Sequence, residues 1–140
     1  MYIDSHVHLF FEGSDPEEFF LGCSRAGVNI FGKDKPPEER QDAKQLYDQQ
    51  MAILSDKDGS RLISEMDKAN IESAIMLPLD FWLRYPTTEN AGISIKEKNK
   101  IYSNVVQTYP DRLKTYFGVD PRRKDAVDLL DEAMKNWEPV

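Results

Sequence analysis

Both histidines of the 140-residue chain stand one residue apart near its start, in Tyr2-Ile3-Asp4-Ser5-His6-Val7-His8-Leu9. Neutral imidazole is a good nitrogen ligand for zinc and other divalent metals, and two rings aimed at one point can grip one ion. A β-strand supplies the aim. Side chains alternate along it, so His6 and His8 share a face with Asp4 beneath them, while Ile3, Val7 and Leu9 turn the other way.

Other residues with chemical potential are fewer. Asp80 and Asp120 each close an expected strand, where capping and turn formation are the commoner roles for aspartate and metal ligation the rarer one. Arg84, with Trp82 and Tyr85 beside it, could bind a substrate carboxylate through its guanidinium fork; a loop anchored by its aromatics is the plainer account. Arg122, Arg123 and Lys124 read as a solvated turn. Cys23 is the one cysteine, so it has no intrachain disulfide partner and reads as a small, buried or half-buried side chain. No glycine-rich phosphate loop, serine-centred elbow or paired-cysteine motif is present.

The elements that must position these residues follow from periodicity. After the opening strand, Asp15-Pro16-Glu17-Glu18 offers an N-cap, a first-turn proline and early acids for a short helix to about Cys23, followed by a loop over 27–37. A second helix is expected from Pro36-Pro37-Glu38-Glu39, with Ala43, Leu46, Tyr47, Met51 and Leu54 at helical spacing. Residues 10–58 thus form a helical insertion or lid after the first strand, too long for a minimal connection. Leu62, Ile63, Met66 and Ala69 then mark a helix ended by Asn70. The apolar run over 73–79 suits a parallel strand covered on both faces. Ser94-Ile95-Lys96-Glu97 has capping-box spacing for a helix carrying Ile95, Ile101, Tyr102, Val105, Val106 and Tyr109, stopped by Pro110. The stretch 113–119 reads as the third strand. A last helix starts near Lys124, with Ala126, Val127, Leu130, Ala133, Met134 and Trp137 on one side.

Strands alternating with helices indicate an α/β fold with a parallel sheet and right-handed crossovers, and ligands of such folds bind at the C-terminal ends of the strands. His8, Asp80 and Asp120 all fall there. A formal charge of −7 and a pI near 4.8 exclude a general nucleic-acid or anionic-membrane binder. The sequence contains no apolar run of about 18 residues and no leader pattern after Met1, which makes the cytoplasm the expected location.

The opening motif, the run Ala74-Ile75-Met76-Leu77-Pro78-Leu79-Asp80, and Tyr109-Pro110-Asp111-Arg112-Leu113 followed by Gly118-Val119-Asp120-Pro121 resemble the amidohydrolase-related family. That branch of the metal-dependent hydrolases also holds decarboxylases similar to aminocarboxymuconate-semialdehyde decarboxylase. The resemblance implies a (β/α)8 TIM barrel with a metal at its C-terminal mouth, for which His6 and His8 supply two ligands. Asp4 matches the motif's acid and is expected either to support the metal site from below, without touching the ion, or to bond neighbouring backbone. Family barrels run to about 250 residues, and this chain carries three strand-helix units and no third histidine.

The expectation is therefore the N-terminal part of a metal-dependent hydrolase, with zinc as the metal, acting on a small amide or carboxylic acid through metal-activated water, or a related non-oxidative decarboxylase. The alternative is an inactive fragment, truncated or completed by a second chain. The abrupt stop at Glu138-Pro139-Val140, where another strand is expected, motivates it, and an open sheet edge would favour self-association.

Overall fold

The computed structural model describes residues 2–81 and 92–136. Trp82, Arg84, Tyr85, Pro86 and Trp137, and with them the expected carboxylate-binding loop, lie outside the described residues. The chain is mixed α/β: β1 (Ile3–Val7), α1 (Glu17–Phe31), a 3-10 turn (Pro37–Glu39), α2 (Ala43–Leu54), α3 (Ser60–Ala69), β2 (Ser73–Met76), α4 (Ile95–Thr108), β3 (Leu113–Thr115) and α5 (Ala126–Asn136). The strands form one parallel sheet in the order β1-β2-β3.

Local chemistry sets the boundaries. Ser94 Oγ accepts from the Glu97 N–H at 3.1 Å, as its spacing predicts. Asn70 closes α3 in the left-handed region at φ 55°, a conformation asparagine tolerates better than most residues. Gly59 opens α3 at φ +77°, and a Cβ there would lie 2.6 Å from Val105 Cγ1, so both backbone and packing demand glycine.

Other boundaries depart from expectation. α1 runs past Cys23 to Phe31, because it packs on α2, where Ser24 Oγ donates to Gln50 Oε1 at 2.9 Å; tertiary packing carries the helix through Gly27. Cys23 lies on this helix exposed, not buried. Pro36-Pro37-Glu38-Glu39 makes only the 3-10 turn, and α2 begins later, where Asp42 accepts from the Gln45 N–H at 2.9 Å. β2 and β3 end at Met76 and Thr115. Pro78 has no N–H to offer a ladder, and Gly118 passes so close that a Cβ would stand 2.3 Å from the Pro78 oxygen.

The core lies on one face of the sheet. Leu9, Met66, Ala74, Met76, Tyr102, Val105, Val106 and Leu113 are buried together, with α3 and α4 supplying the helical layer. On β2, Ala74 and Met76 are buried while Ser73 and Ile75 are half-buried, so the strand is covered on one face rather than both. On β1, which has no neighbour on one side among the described residues, Ile3 is 51% exposed. Arg112 ties the N-terminal edge: its guanidinium donates to the carbonyls of Glu72 at 2.8 Å and Ile71 at 3.1 Å and pairs with Asp67 at 2.7 Å.

Residues after β1 leave and return at one place. Phe10 bridges to Ser55, and the Asp56 N–H donates to the Phe10 carbonyl at 2.7 Å. Between these points α1 and α2 pack as a helical pair. No helix among the described residues is long and apolar enough to cross a membrane.

Candidate metal site

The register of β1 against β2 slips between Asp4 and Val7: Asp4 pairs with Ala74 and Val7 with Met76. Two residues, Ser5 and His6, therefore oppose Ile75 alone, which is a β-bulge, a device that re-aims side chains. It interrupts the simple alternation read from the sequence. The His6 N–H donates to Asp4 Oδ1 at 3.0 Å. Asp4 thus holds the backbone of His6.

Across the bulge the two imidazoles converge. Their Nε2 atoms are 3.0 Å apart and the rings meet edge to face at a centroid distance of 4.8 Å. His8 Nδ1 lies 2.6 Å from the Leu77 carbonyl oxygen, just past the end of β2. A carbonyl only accepts, so Nδ1 carries a proton, and in the neutral ring Nε2 then keeps its lone pair. That is the arrangement by which a hydrogen bond on one ring nitrogen prepares the other to ligate a metal. Two nitrogens of a tetrahedral zinc site, each about 2.0–2.1 Å from the ion, stand about 3.3 Å apart. The observed spacing is within a few tenths of an ångström of that figure, so the pair fits such an ion. His6 is exposed and His8 half-buried, which leaves room for an ion and further ligands from outside. Among the described residues no group of three or more His, Cys, Asp and Glu gathers to hold a metal.

Asp80 and Asp120 lie at the same end of the sheet but are committed to each other and to arginines. Asp80 Oδ2 accepts from the Asp120 N–H at 2.9 Å, and its Oδ1 lies 3.4 Å from Arg123 Nη1. Asp120 takes the Arg122 guanidinium at 2.9 and 2.7 Å; those bonds, with that of the Arg122 N–H, hold its carboxyl down at about 2. Arg122 is solvated as expected, its side chain 72% exposed, but the Arg123 side chain is only 12% exposed, because Asp80 and Asp125 draw it in.

An aromatic wall connects the histidines to the helical pair. The His8 ring is 5.9 Å from Phe10, which meets Phe20 edge to face at 4.9 Å; Phe19 in turn lies 4.6 Å from Phe81. A cleft of about 750 Å³ between the start of α1 and α2 is lined by Glu12, Asp15, Glu17, Lys44, Tyr47 and Asp48 among others, away from the histidines.

Two residues missed in the sequence sit beside this wall on α4. Lys98 Nζ donates to Asp15 Oδ1 at 2.6 Å and to the Leu79 carbonyl at 2.9 Å, with Ser14 Oγ donating to the other Asp15 oxygen at 2.6 Å. Asp15 is therefore not the N-cap of α1, a position taken by Pro16 without a side-chain bond. Asn99 pairs through both amide atoms with Gly118, at 2.7 and 2.9 Å. The available signal was register: Lys98 and Asn99 stand three and four residues from Ile95, on its buried face.

No protein-family model matches the chain, and no curated protein matches it. The chain is similar to several solved structures. One is a probable 2-pyrone-4,6-dicarboxylic acid hydrolase from Acinetobacter baumannii with citric acid bound, at 17% identity and a TM-score of 0.41, covering 94% of this chain and 34% of that one. Another is 4-oxalomesaconate hydratase from Rhodopseudomonas palustris, at 18% identity and a TM-score of 0.46, covering 97% of this chain and 39% of that one. The chain spans little more than a third of the length of either.

Proposed function

We propose that the chain is the N-terminal part of an amidohydrolase-type barrel in which His6 and His8 hold a divalent metal, zinc by preference, for hydrolysis of a small amide or carboxylic-acid substrate. Decarboxylation of a related acid is the sister reaction. The observation that carries the proposal is the convergence of the two Nε2 atoms at 3.0 Å with the His8 tautomer fixed by Leu77. A metal bound there supplies Lewis acidity and renders water nucleophilic near neutral pH. The chain's own contribution is to bring two imidazole Nε2 atoms to one point, with the Asp4 carboxylate holding the His6 amide. For His6, ligation requires its proton on Nδ1, since Nε2 now faces the His8 lone pair.

Titration with zinc against a chromophoric chelator tests the proposal. Wild type should bind one equivalent, and His6→Ala and His8→Ala should each weaken binding at least tenfold. Equal affinity in wild type and the double variant would remove the assignment.

A second reading concerns completion of the fold. We propose that the side of β1 without a neighbour among the described residues accepts further strands, from more of the same barrel or from another chain. Tyr2 and Ile3 on that strand are 71% and 51% exposed, and uncovered strands of this kind recruit partners.

A further inference from the structure

Helix α4 carries three buried polar side chains, each gripping chain just beyond the C-terminal end of a different strand. Lys98 holds the Leu79 carbonyl beyond β2, and Asn99 holds both backbone groups of Gly118 beyond β3. Tyr102 holds the chain beyond β1: the Leu9 N–H donates to its hydroxyl at 2.8 Å, and the hydroxyl donates to the Leu9 carbonyl at 3.2 Å. Leu9 is the residue after His8, and Tyr102 is 1% exposed. Burial raises its ionisation far above the usual phenol range, so the hydroxyl stays a donor.

We propose that Tyr102 is a positioning residue for the histidine pair: by clamping both backbone groups of Leu9 it fixes the path of the chain at His8 and keeps His8 Nδ1 on the Leu77 carbonyl. β1 pairs with β2 only as far as Val7, opposite Met76, and its other side is open among the described residues. His8 therefore lies past the last ladder partner, and the Tyr102 clamp and the Leu77 carbonyl hold it on either side. The inference rests on the proposed metal reading for its functional meaning, but its geometric content does not.

The test compares Tyr102→Phe with Asn99→Ala, which breaks the equivalent clamp on β3. Long-range proton–nitrogen correlation spectra of the imidazoles, recorded without metal about two units above the ordinary imidazole range, read the His8 tautomer. Wild type and Asn99→Ala should show one Nδ1–H form, and Tyr102→Phe a mixture. Zinc affinity should fall about tenfold in Tyr102→Phe and by less than twofold in Asn99→Ala. A wild-type tautomer in Tyr102→Phe, or equal mixing in both variants, overturns the inference. Should Tyr102→Phe not fold, exchange of the wild-type Leu9 amide decides: protection close to that of core amides supports the clamp, and exchange as fast as at Ile3 overturns it. If His8→Ala binds zinc like wild type, the metal reading fails while the tautomer result still judges Tyr102.

Discussion

At the scale of single residues, hydrogen bonds to backbone do most of the aiming. His8 is oriented by a carbonyl, His6 is held through its amide, and Leu9 is clamped by a phenol. Tyr102→Phe leaves the Leu9 N–H buried without that partner, which costs about 1–3 kcal/mol; urea unfolding of the isosteric variant measures it. Asp120 makes a pH-dependent contribution. Its carboxyl is held at about 2 by Arg122, below the ordinary value near 3.9 for an unfolded chain. Between those values the unfolded state binds more protons, so stability rises with pH through the window and is lost as pH falls toward 2. Thermal unfolding of Asp120→Asn should accordingly lack this part of the acid dependence, its midpoint converging with wild type at the lowest pH. The histidine pair was legible because a period of two needs only local sequence. The bulge at Ser5 and His6 was not, since it is a property of the register between two strands distant in the chain.

At the scale of elements, α4 organises the C-terminal end of the sheet. Its apolar positions and Ser94 cap could be read from spacing alone, but Lys98 and Asn99 could not be given partners, because those lie 83 and 19 residues away. The Lys98–Asp15 pair, with side chains 4% and 2% exposed, joins α4 to the segment that begins the helical pair. Removing one partner from a buried ion pair strands the other charge, at a cost of about 3–5 kcal/mol. Lys98→Met should show a loss of this size in urea, and Asp15→Asn combined with Lys98→Met should lose less than the two single changes added together. Gly59→Ala tests the opening of α3: positive φ and overlap with Val105 should together cost about 2 kcal/mol or more, read from the same unfolding curves. The reach of α1 past Cys23 escaped the sequence reading for a related reason, since packing on α2 overrode the local glycine.

On the scale of the whole molecule, one face of the sheet is packed and the other is half-covered. The parallel order of the sheet and the position of the histidine pair at a strand end followed from strand-helix alternation. The expectation of burial on both faces did not survive, because α3 and α4 cover the same side. Val127, Leu130 and Met134 on α5 are 72%, 42% and 61% exposed, a further apolar surface. Sedimentation velocity over a range of concentrations should show reversible association, reduced by a charged substitution at Ile3 on β1 if that strand is the contact. The account turns finally on whether both imidazoles bind one ion. X-ray absorption at the zinc edge of the loaded protein measures this directly. Two imidazole nitrogens at about 2.0–2.1 Å are predicted for wild type, and one in either His6→Ala or His8→Ala; a spectrum without imidazole scattering, or one unchanged by both substitutions, would contradict it.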